Sequence, residues 1–244
     1  MRSRGLTHRG SGNIITDQSV TFGGPMGSSA ETVPPFSGVV RKRRKEARPS
    51  ELTAAALQLF VEKGFAATRL DDVAAHAGVS KGTLYLYFDS KEALFRAVIE
   101  EGIVPRFIAA EQQVATFEGS SVELLRYLLS SWWQQIGNTP LAGVSKLILS
   151  ESRNFPEVAA YYHDKVIVQG RALMRAVLER GIARGEFREV NVEAAIDIVF
   201  SPLLMFVLSR LSVGFCGQAN EPEAFLAAHF DLLMHGLCRS ETQR

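Results

Sequence analysis

Cysteine is scarce in this chain of 244 residues, which contains two, Cys216 and Cys238. Two cysteines are too few for a disulfide scaffold, and such usage is typical of a protein in a reducing cytoplasm. Packing as small side chains explains both cysteines more simply than redox sensing does. We therefore expect a cytoplasmic protein.

Long apolar segments are also lacking. The most apolar run, residues 198–208, has eleven residues with Pro202 inside, which is too short to cross a bilayer. Residues 1–40 have no continuous apolar stretch followed by a small-residue cleavage site, so they do not resemble a secretory signal. They carry Gly, Ser, Thr and Pro with little periodicity, which predicts a disordered extension. No membrane partner is expected.

The sequence has none of the common spacings for catalysis or metal binding. The five histidines form no HExxH-type pattern, and His163 beside Asp164 is a weak pair. A glycine-rich phosphate loop after a strand and a GxSxG elbow are both absent. We therefore expect no metal, no cofactor and no enzymatic activity. The alternative is a helical-bundle enzyme.

Residues 68–91 have the layout of a DNA-reading helix-turn-helix, because 24 residues hold two short helical segments and the start of a third. Thr68 followed by Asp71 predicts a capping box at the first helix. Gly78 marks the first bend, where a left-handed conformation lets the chain leave a helix sharply. This pattern predicts a protein that reads duplex DNA.

The second helix of the motif, about residues 81–87, has an unusual outer face. Ser80 is placed to cap it, and Leu84 and Phe88, one turn apart, would face the core. Helical geometry then turns four residues outward: Gly82, Thr83, Tyr85 and Leu86. Such a face suits a major groove, where glycine permits close approach and the side chains reach bases and phosphates. The alternative is that Tyr85 and Leu86 pack on a neighbouring helix.

Two lysines add a second indication of DNA. Lys81 and Lys91 each occupy the first position of a predicted helix, directly after the capping residues Ser80 and Ser90. The helix dipole disfavours a positive charge there, whereas a nearby phosphate would reverse that preference. The alternative is that exposed lysines occur at these positions by chance.

Residues 50–98 resemble the DNA-binding domain of the TetR/AcrR-type bacterial transcriptional regulators. The resemblance rests on the ordered run DVAAHAGVSKGTLYLYFDSKEALF at residues 72–95, preceded by AAALQLFVEKGF at residues 54–65. It implies that Lys81, Gly82, Thr83 and Tyr85 face bases, while Tyr87 and Lys91 hold phosphates. Leu86 departs from the pattern, since many members have an aromatic residue there. Together with the caps Thr68 and Ser80, these residues are the candidate DNA-binding set.

A basic run precedes the motif. Residues 41–48 carry six basic residues against one acid, although the net charge of the chain is +1. Directly before a helix-turn-helix, such a run is well placed as an arm along phosphates or in a minor groove, and Arg43 and Arg44 are its candidate contacts. The alternative is a solvated tail. Pro49 is expected to begin the first helix and Gly64 to end it.

The pattern after residue 98 stays helical, and strand-like alternation is absent. The fold is therefore predicted to be all-α, with about nine helices: an N-terminal helix-turn-helix domain and a C-terminal helical domain for ligand binding and dimerisation. Expected C-terminal helices cover residues 99–117, 120–137, 141–152, 156–184, 192–211 and 221–238, with a Gly-rich loop at 214–217. The domain boundaries are 1–40 for the extension, 41–48 for the basic arm, 49–98 for the DNA-binding domain (motif about 69–88) and 99–240 for the C-terminal domain.

The last two predicted helices are candidates for self-association. The helix at 192–211 is apolar nearly all round, so it must be covered on both sides. One chain offers too few partners, which favours a two-fold, four-helix interface of a homodimer over a core closed within the monomer. The candidate interface residues are Ile196, Phe200, Leu204, Phe225, Phe230 and Leu233. Such a dimer would present two reading helices about 34–36 Å apart on a pseudo-palindromic DNA operator.

The middle helices contain a mixture of aromatic and apolar residues suited to a pocket for a small molecule. The candidate pocket residues are Trp132, Trp133, Ile136, Leu147, Tyr162, Val166, Met174 and Phe206. The family resemblance implies a small, apolar or aromatic effector whose binding releases the operator, so a ligand-responsive repressor is expected. The alternative is a constitutive DNA-binding regulator or an architectural protein without a ligand.

Overall fold

The computed structural model describes residues 38–212 and 221–238, with side chains described from residue 48 onward. Within these ranges the chain forms eleven α-helical and two π-helical segments, and an isolated bridge pairs Phe187 with Cys238. The predicted all-α class is confirmed. Cys216, the loop at 214–217 and residues 1–37 of the predicted extension lie outside the described residues.

Four helices form the N-terminal part: α1 Gly38–Lys63, α2 Leu70–His76, α3 Lys81–Tyr85 and α4 Lys91–Gly102. The predicted start of α1 is wrong, because the helix begins at Gly38 and contains both the basic run and Pro49. Residues 41–48 are mostly Lys, Arg, Glu and Ala, which favour helix strongly. Pro49 removes one hydrogen-bond donor but does not stop the helix. Gly64 ends α1 as predicted, with a φ of 84°.

Helix caps explain where the short helices begin. Ser80 accepts a hydrogen bond from the Thr83 amide at 3.1 Å, and Ser90 accepts one from the Ala93 amide at 3.0 Å, as predicted. The predicted cap at Thr68 is wrong. The N-cap of α2 is Arg69, whose side chain makes no cap hydrogen bond.

Thr68 instead ties α2 to the end of α1. Its hydroxyl donates to the carbonyls of Gly64 at 2.7 Å and Leu59 at 3.2 Å, and the residue is 2% exposed. These two bonds attach the turn before α2 to the last turn of α1 and to the glycine that follows it. The hydroxyl is therefore held inside the fold and does not cap α2.

An aromatic cluster lies at the centre of the N-terminal part. The ring of Phe65, fully buried, lies 5.2 Å from that of Phe60 and 5.7 Å from that of Phe95, measured between centroids. Tilted and edge-on pairs of this kind add to the stability gained from burial. Leu84 and Phe88, from α3 and the turn after it, belong to the same core.

The remaining helices are α5 Val104–Thr116, α6 Ser121–Trp132, α7 Ala142–Glu151, α8 Pro156–Tyr162, α9 Val168–Ala183, α10 Val192–Arg210 and α11 Pro222–Leu237. The single helix predicted over 99–117 is wrong, because the chain breaks at Ile103 between α4 and α5. Gly102 is a weak helix residue, and Pro105 begins α5 well. The capping box of Ser120 and Glu123 is present at α6 in both directions, as predicted.

Two π-helical segments lengthen these helices. Residues Trp133–Gly137 continue α6, and residues His163–Ile167 join α8 to α9, so that 156–183 is one continuous helix close to the prediction. A π-helical turn adds one residue to a helical turn and is often found at functional sites. Its position shifts which side chains the rest of the helix turns inward.

Helix α10 is long and apolar enough, with 19 residues and a mean hydropathy of 1.9, to meet the length and composition criteria for a membrane span. The helix predicted over 192–211 is confirmed to within one residue, with Pro202 inside it. The expectation that no segment is long and apolar enough for a span, which rested on the run at 198–208, is wrong by these criteria. One side of α10, including Ile196, Val199 and Leu203, packs in the core. Helix α10 therefore has one apolar side in the core and a second apolar side that is largely exposed.

Candidate nucleic-acid interface

Helix α3 presents the outer face that the sequence predicts. Leu84 is fully buried and Phe88 is 9% exposed, whereas Tyr85 is 53% and Leu86 is 81% exposed. The alternative in which Tyr85 and Leu86 pack on a neighbouring helix is therefore wrong within the described chain. The helix is shorter than predicted, ending at Tyr85, and a turn closed by the bond from the Tyr87 amide to the Leu84 carbonyl (2.9 Å) follows.

The turn before α3 sets the angle between α2 and α3. Gly78 has a φ of 67°, and no described atom would crowd a side chain there, so the backbone conformation alone accounts for the glycine. The next amide, that of Val79, returns to the Ala74 carbonyl at 2.9 Å. Ser80 then caps α3, and its hydroxyl also lies 2.8 Å from that of Thr83. Both hydroxyls therefore have a fixed position at the exposed start of the helix.

Lys81 forms an ion pair with Asp71, a residue that sequence reasoning treated as part of a cap. The hydrogen bond and charge of Asp71 raise the pKa of Lys81, so the lysine stays protonated. Both side chains are well exposed, and an exposed pair of this kind contributes little net stability. Lys81 can therefore exchange Asp71 for a DNA phosphate or base at small cost.

Lys91 is placed differently. Its ammonium donates to the carbonyls of Phe65 at 2.7 Å and Ala66 at 3.1 Å, and it lies 4.6 Å from the centroid of the Phe65 ring. An ammonium has three N–H donors, so one remains for a phosphate. The predicted phosphate contact stays a prediction, and the structure adds an internal role for this lysine.

The other predicted DNA contacts divide into three groups. Thr68 is buried with its hydroxyl engaged, so a DNA contact from its side chain is contradicted by the structure. Tyr87 is half-buried against the core at the edge of the reading face. Arg43 and Arg44 lie in the N-terminal turns of α1, so their backbone is helical and not an extended arm.

Gly82 is the residue of α3 that the fold itself explains least. A Cβ added at this exposed position would meet no protein atom closer than the Ser80 hydroxyl, at 3.9 Å. Glycine inside a helix is less favourable than alanine by about 1 kcal/mol. Because packing does not require it, close approach of another molecule is the simplest reason for its presence.

The predicted effector residues do not share one pocket. Ile136, Leu147, Tyr162 and Val166 lie in one core cluster, Met174 in a second, and Trp133 with Phe206 in a third. Trp132, half-buried, packs against all three clusters. The structure therefore brings these residues together only around Trp132, and several are closely packed core residues.

Two open clefts lie elsewhere. One is lined by residues of α1, α4 and the segment before α7, and the other by residues 137–142 and the end of α10. Neither coincides with the predicted effector set, although Trp133 and Ile136 adjoin the second in sequence. Within 38–212 and 221–238, no group of three or more His, Cys, Asp or Glu side chains is arranged to hold a metal ion.

Three of the predicted dimer residues are wrong as partner contacts, because Ile196, Phe230 and Leu233 are buried in the core of their own chain. Phe200 and Phe225 are half-buried within the chain: Phe200 meets the Trp132 ring edge-on, and Phe225 stacks on Phe206. Leu204, also half-buried, stays a predicted contact. The error arises because α10 is apolar all round, so the sequence does not show which side faces inward.

The exposed apolar side of the last two helices carries other residues. Ile198 and Met205 on α10 are 65% and 48% exposed, and seven residues apart they share one side of the helix. Leu232 on α11 is 72% exposed, and Ala224 and Ala228 precede it at four-residue steps. These residues form an uncovered apolar stripe on each helix, which burial reveals and periodicity does not.

The helix-turn-helix and its exposed face define a DNA-binding protein, and comparison with known sequences identifies the family. Residues 52–98 match the model of the bacterial regulatory proteins of the tetR family. Residues 118–213 match the tetracyclin repressor-like C-terminal domain. The chain belongs to the TetR family of bacterial transcriptional regulators.

Relatives support the same assignment. The uncharacterized HTH-type transcriptional regulator YfiR of Bacillus subtilis (strain 168) is 30% identical over 68% of this chain and 80% of its own length. The HTH-type transcriptional repressor KstR2 of Rhodococcus jostii (strain RHA1) is 28% identical over 62% of this chain and 74% of its own. The structure of FadR from Bacillus subtilis in complex with stearoyl-CoA has the same fold, with a TM-score of 0.64, 22% identity and coverage of 77% and 98%.

Replacing Gly82 by alanine tests whether α3 meets DNA. We expect Gly82→Ala to leave thermal stability unchanged or raised, because alanine favours helix and finds open space. Operator affinity should fall about tenfold or more, a change of about 1.4 kcal/mol, because the methyl group prevents close approach. Thermal unfolding and fluorescence anisotropy with DNA from upstream of the gene would measure both.

The matched control is Gly170→Ala in α9, where the added methyl would make ordinary contact with the Phe107 ring at 3.6 Å. This control should leave operator affinity unaltered. Equal affinity of Gly82→Ala and wild type would contradict the assignment of α3 as the reading helix.

Proposed function

We propose that this regulator is a ligand-responsive repressor that binds a pseudo-palindromic operator as a homodimer and leaves it when a small apolar or aromatic effector binds. The proposal places the protein in the cytoplasm, where operator and effector are available. The observation that carries it is the exposed face of α3, with Tyr85 and Leu86 turned outward over a buried Leu84 and Phe88. An exposed leucine and tyrosine beside a glycine suit a major groove better than water.

Lys81 supports the same surface. It is exposed at the start of α3, keeps its positive charge beside Asp71, and can transfer to a phosphate or a guanine edge. The basic run at the start of α1 adds positive charge directly before the DNA-reading unit, which comprises α1 from residue 49 onward and α2 to α4. Arg43 and Arg44 are therefore proposed to contact phosphates from a helix.

The operator experiment is footprinting on the DNA upstream of the gene. We expect two protected half-sites whose centres are about one helical turn, or 34–36 Å, apart. The double variant Lys81→Ala, Tyr85→Ala should bind this DNA roughly 30-fold or more weakly, because two contacts of about 1 kcal/mol each are removed. Tyr127→Ala, a change at a similarly exposed tyrosine on α6, should bind as wild type does. Full retention by the double variant would disprove the proposed reading surface.

The dimer is proposed to form through the apolar stripes of α10 and α11. Ile198 and Leu232 are 65% and 72% exposed, and exposed apolar surface of this kind marks an association site. The same face of a second copy supplies a cover of equal length and character, as a two-fold interface requires. The small residues Ala224 and Ala228 beside Leu232 let the two helices approach closely.

A charge on this stripe should separate the subunits. We expect Leu232→Glu to shift the protein from dimer to monomer and to reduce operator affinity, because each monomer then presents one reading head. Sedimentation equilibrium and anisotropy would measure the two effects. Leu149→Glu, on the exposed side of α7, is the control and should stay dimeric. A Leu232→Glu protein that remains a dimer would show that another surface is used.

The effector is proposed to bind around Trp132, where the three core clusters meet. The related FadR, solved with stearoyl-CoA, supports an effector with a long apolar part. Since the described residues there are mostly packed, binding would have to select a more open conformation, and only a difference in affinity between the two conformations can release DNA. A constitutive regulator without a ligand is the alternative.

A thermal-shift screen with stearoyl-CoA and other apolar compounds distinguishes the two. A ligand at 100 times its Kd should stabilise the protein by about 2.7 kcal/mol and should lower operator affinity. Trp132→Leu should reduce that stabilisation, whereas Tyr127→Leu on the same helix should not. No stabilisation by any compound, together with constant operator affinity, would favour the constitutive alternative.

A further inference from the structure

The segment that begins α8 contacts the reading unit at its aromatic core. The ring of Phe155 meets that of Phe65 edge-on, with centroids 4.7 Å apart and an interplanar angle of 76°. Phe65 is fully buried and also contacts Phe60 and Phe95. Phe155, from the C-terminal domain, thus completes an aromatic cluster that otherwise belongs to α1, α4 and the turn after α1.

Lys91 joins the same contact. Its ammonium lies 5.4 Å from the centroid of Phe155 and 4.6 Å from that of Phe65, while two of its N–H groups bind the carbonyls of Phe65 and Ala66. Cation–π attraction to the two rings adds to these hydrogen bonds, while Lys91 stays partly exposed. Lys91 is the first residue of α4. The N-terminus of α4 is therefore held against Phe155.

The other end of α4 is held by the other end of α8. The hydroxyl of Tyr161 donates to the carboxylate of Glu100, the guanidinium of Arg96 lies 5.3 Å from the Tyr161 ring centroid, and Lys165 pairs with Glu100 at 3.6 Å. Burial, together with the Glu100 carboxylate, raises the pKa of Tyr161 to about 12, so its hydroxyl keeps its proton.

Two points of attachment fix the angle between α4 and α8, whereas a single point would allow α4 to rotate on α8. Lys91 and Glu100 are nine residues apart on α4, which is about 13 Å along a helix at 1.5 Å per residue. The reading helix α3 shares its buried residue Leu84 with the core that contains α4. A change in the orientation of α4 on α8 would therefore reach α3 through this shared core.

The residue after Tyr161 lies deeper in the same core cluster. Tyr162 is 8% exposed, and its hydroxyl lies 3.0 Å from that of Ser145 on α7. Burial raises the pKa of Tyr162, so this hydroxyl is also neutral. The π-helical segment His163–Ile167 follows directly. A displacement of Tyr162 within the core must therefore move Tyr161 with it.

We propose that α8 acts as a lever: its position sets the orientation of the helix-turn-helix, the reading head, relative to the C-terminal domain. Phe155 and Tyr161 are positioning residues that hold the two ends of α4. Tyr162 is the residue of α8 that responds to a change in core packing. Lys91 connects the N-terminus of α4 to Phe155 and Phe65, in addition to any phosphate contact. The proposal rests on the proposed function for its purpose, since it names the path by which an effector near Tyr162 would alter DNA binding.

The test measures the orientation of the head without DNA or ligand. Spin labels at Ala75→Cys on α2 and Glu179→Cys on α9, both exposed positions, report the distance between head and core by double electron–electron resonance. The full chain is used, with Cys216→Ser and Cys238→Ala, and is mixed with excess unlabelled protein so that intrasubunit pairs dominate. Wild type should give one narrow distance distribution.

The variants are Phe155→Leu, which keeps apolar volume without the ring, and Tyr161→Phe, which removes one hydroxyl. We expect the two together to widen the distance distribution at least about twofold, while helix content and dimerisation stay as in wild type. Leu149→Ala, on the exposed side of α7, is the control and should leave the width unchanged. A distance distribution as narrow in the double variant as in wild type would overturn the proposal that α8 orients the reading head.

A DNA measurement separates this proposal from the function on which it rests. Operators with zero to three base pairs added between half-sites should show one sharp affinity optimum with wild type and a profile at least twofold flatter with Phe155→Leu, Tyr161→Phe. A merely destabilised protein would lose affinity in equal proportion at every spacing, which would count against the lever. Should wild type bind none of these DNAs, the proposed operator function fails, while the distance measurement still decides the lever.

Discussion

The continuous apolar core that joins the reading unit to the C-terminal domain is the constraint on which the structure depends. Leu52, Phe60 and Phe95 of the reading unit share one cluster with Leu147 and Tyr162 of the following domain. Protein cores are close-packed and transmit displacements, since they rearrange between discrete packings. A boundary at residue 98 describes the sequence motifs, but it does not divide the packing. The reading head is thus oriented by side chains that lie outside it.

Much of the helical layout could be predicted from the sequence, because caps and turns are local. Ser80, Ser90 and Ser120 begin their helices as their patterns predict, and Gly78 adopts its positive φ. The failures at Thr68 and Pro49 have a different origin. The buried Thr68 hydroxyl donates to the Gly64 carbonyl and does not accept from an amide of α2. Strong helix formers carried α1 past Pro49.

Site residues could be predicted where their position on one face of a helix decides what they contact. They were harder to predict where their contacts come from distant parts of the chain. The inward and outward sides of α3 followed from its periodicity and the motif. Lys91 did not, because its carbonyl and ring partners come from residues 26 positions earlier and from α8. Ile196 and Phe230 were misassigned for a related reason: an apolar helix has no periodicity that distinguishes a core side from a partner side.

The ion pair between Lys81 and Asp71 has a consequence for how this protein finds its target among competing DNA. A neutralised lysine lowers the positive potential over the reading face, so transient encounters with unrelated duplex are held less strongly at that point. Because opening this exposed pair costs little, Lys81 remains available where a site also offers α3 its base contacts. We therefore expect Asp71 to shorten residence on random sequence and to favour sliding and hopping during the search along the chromosome.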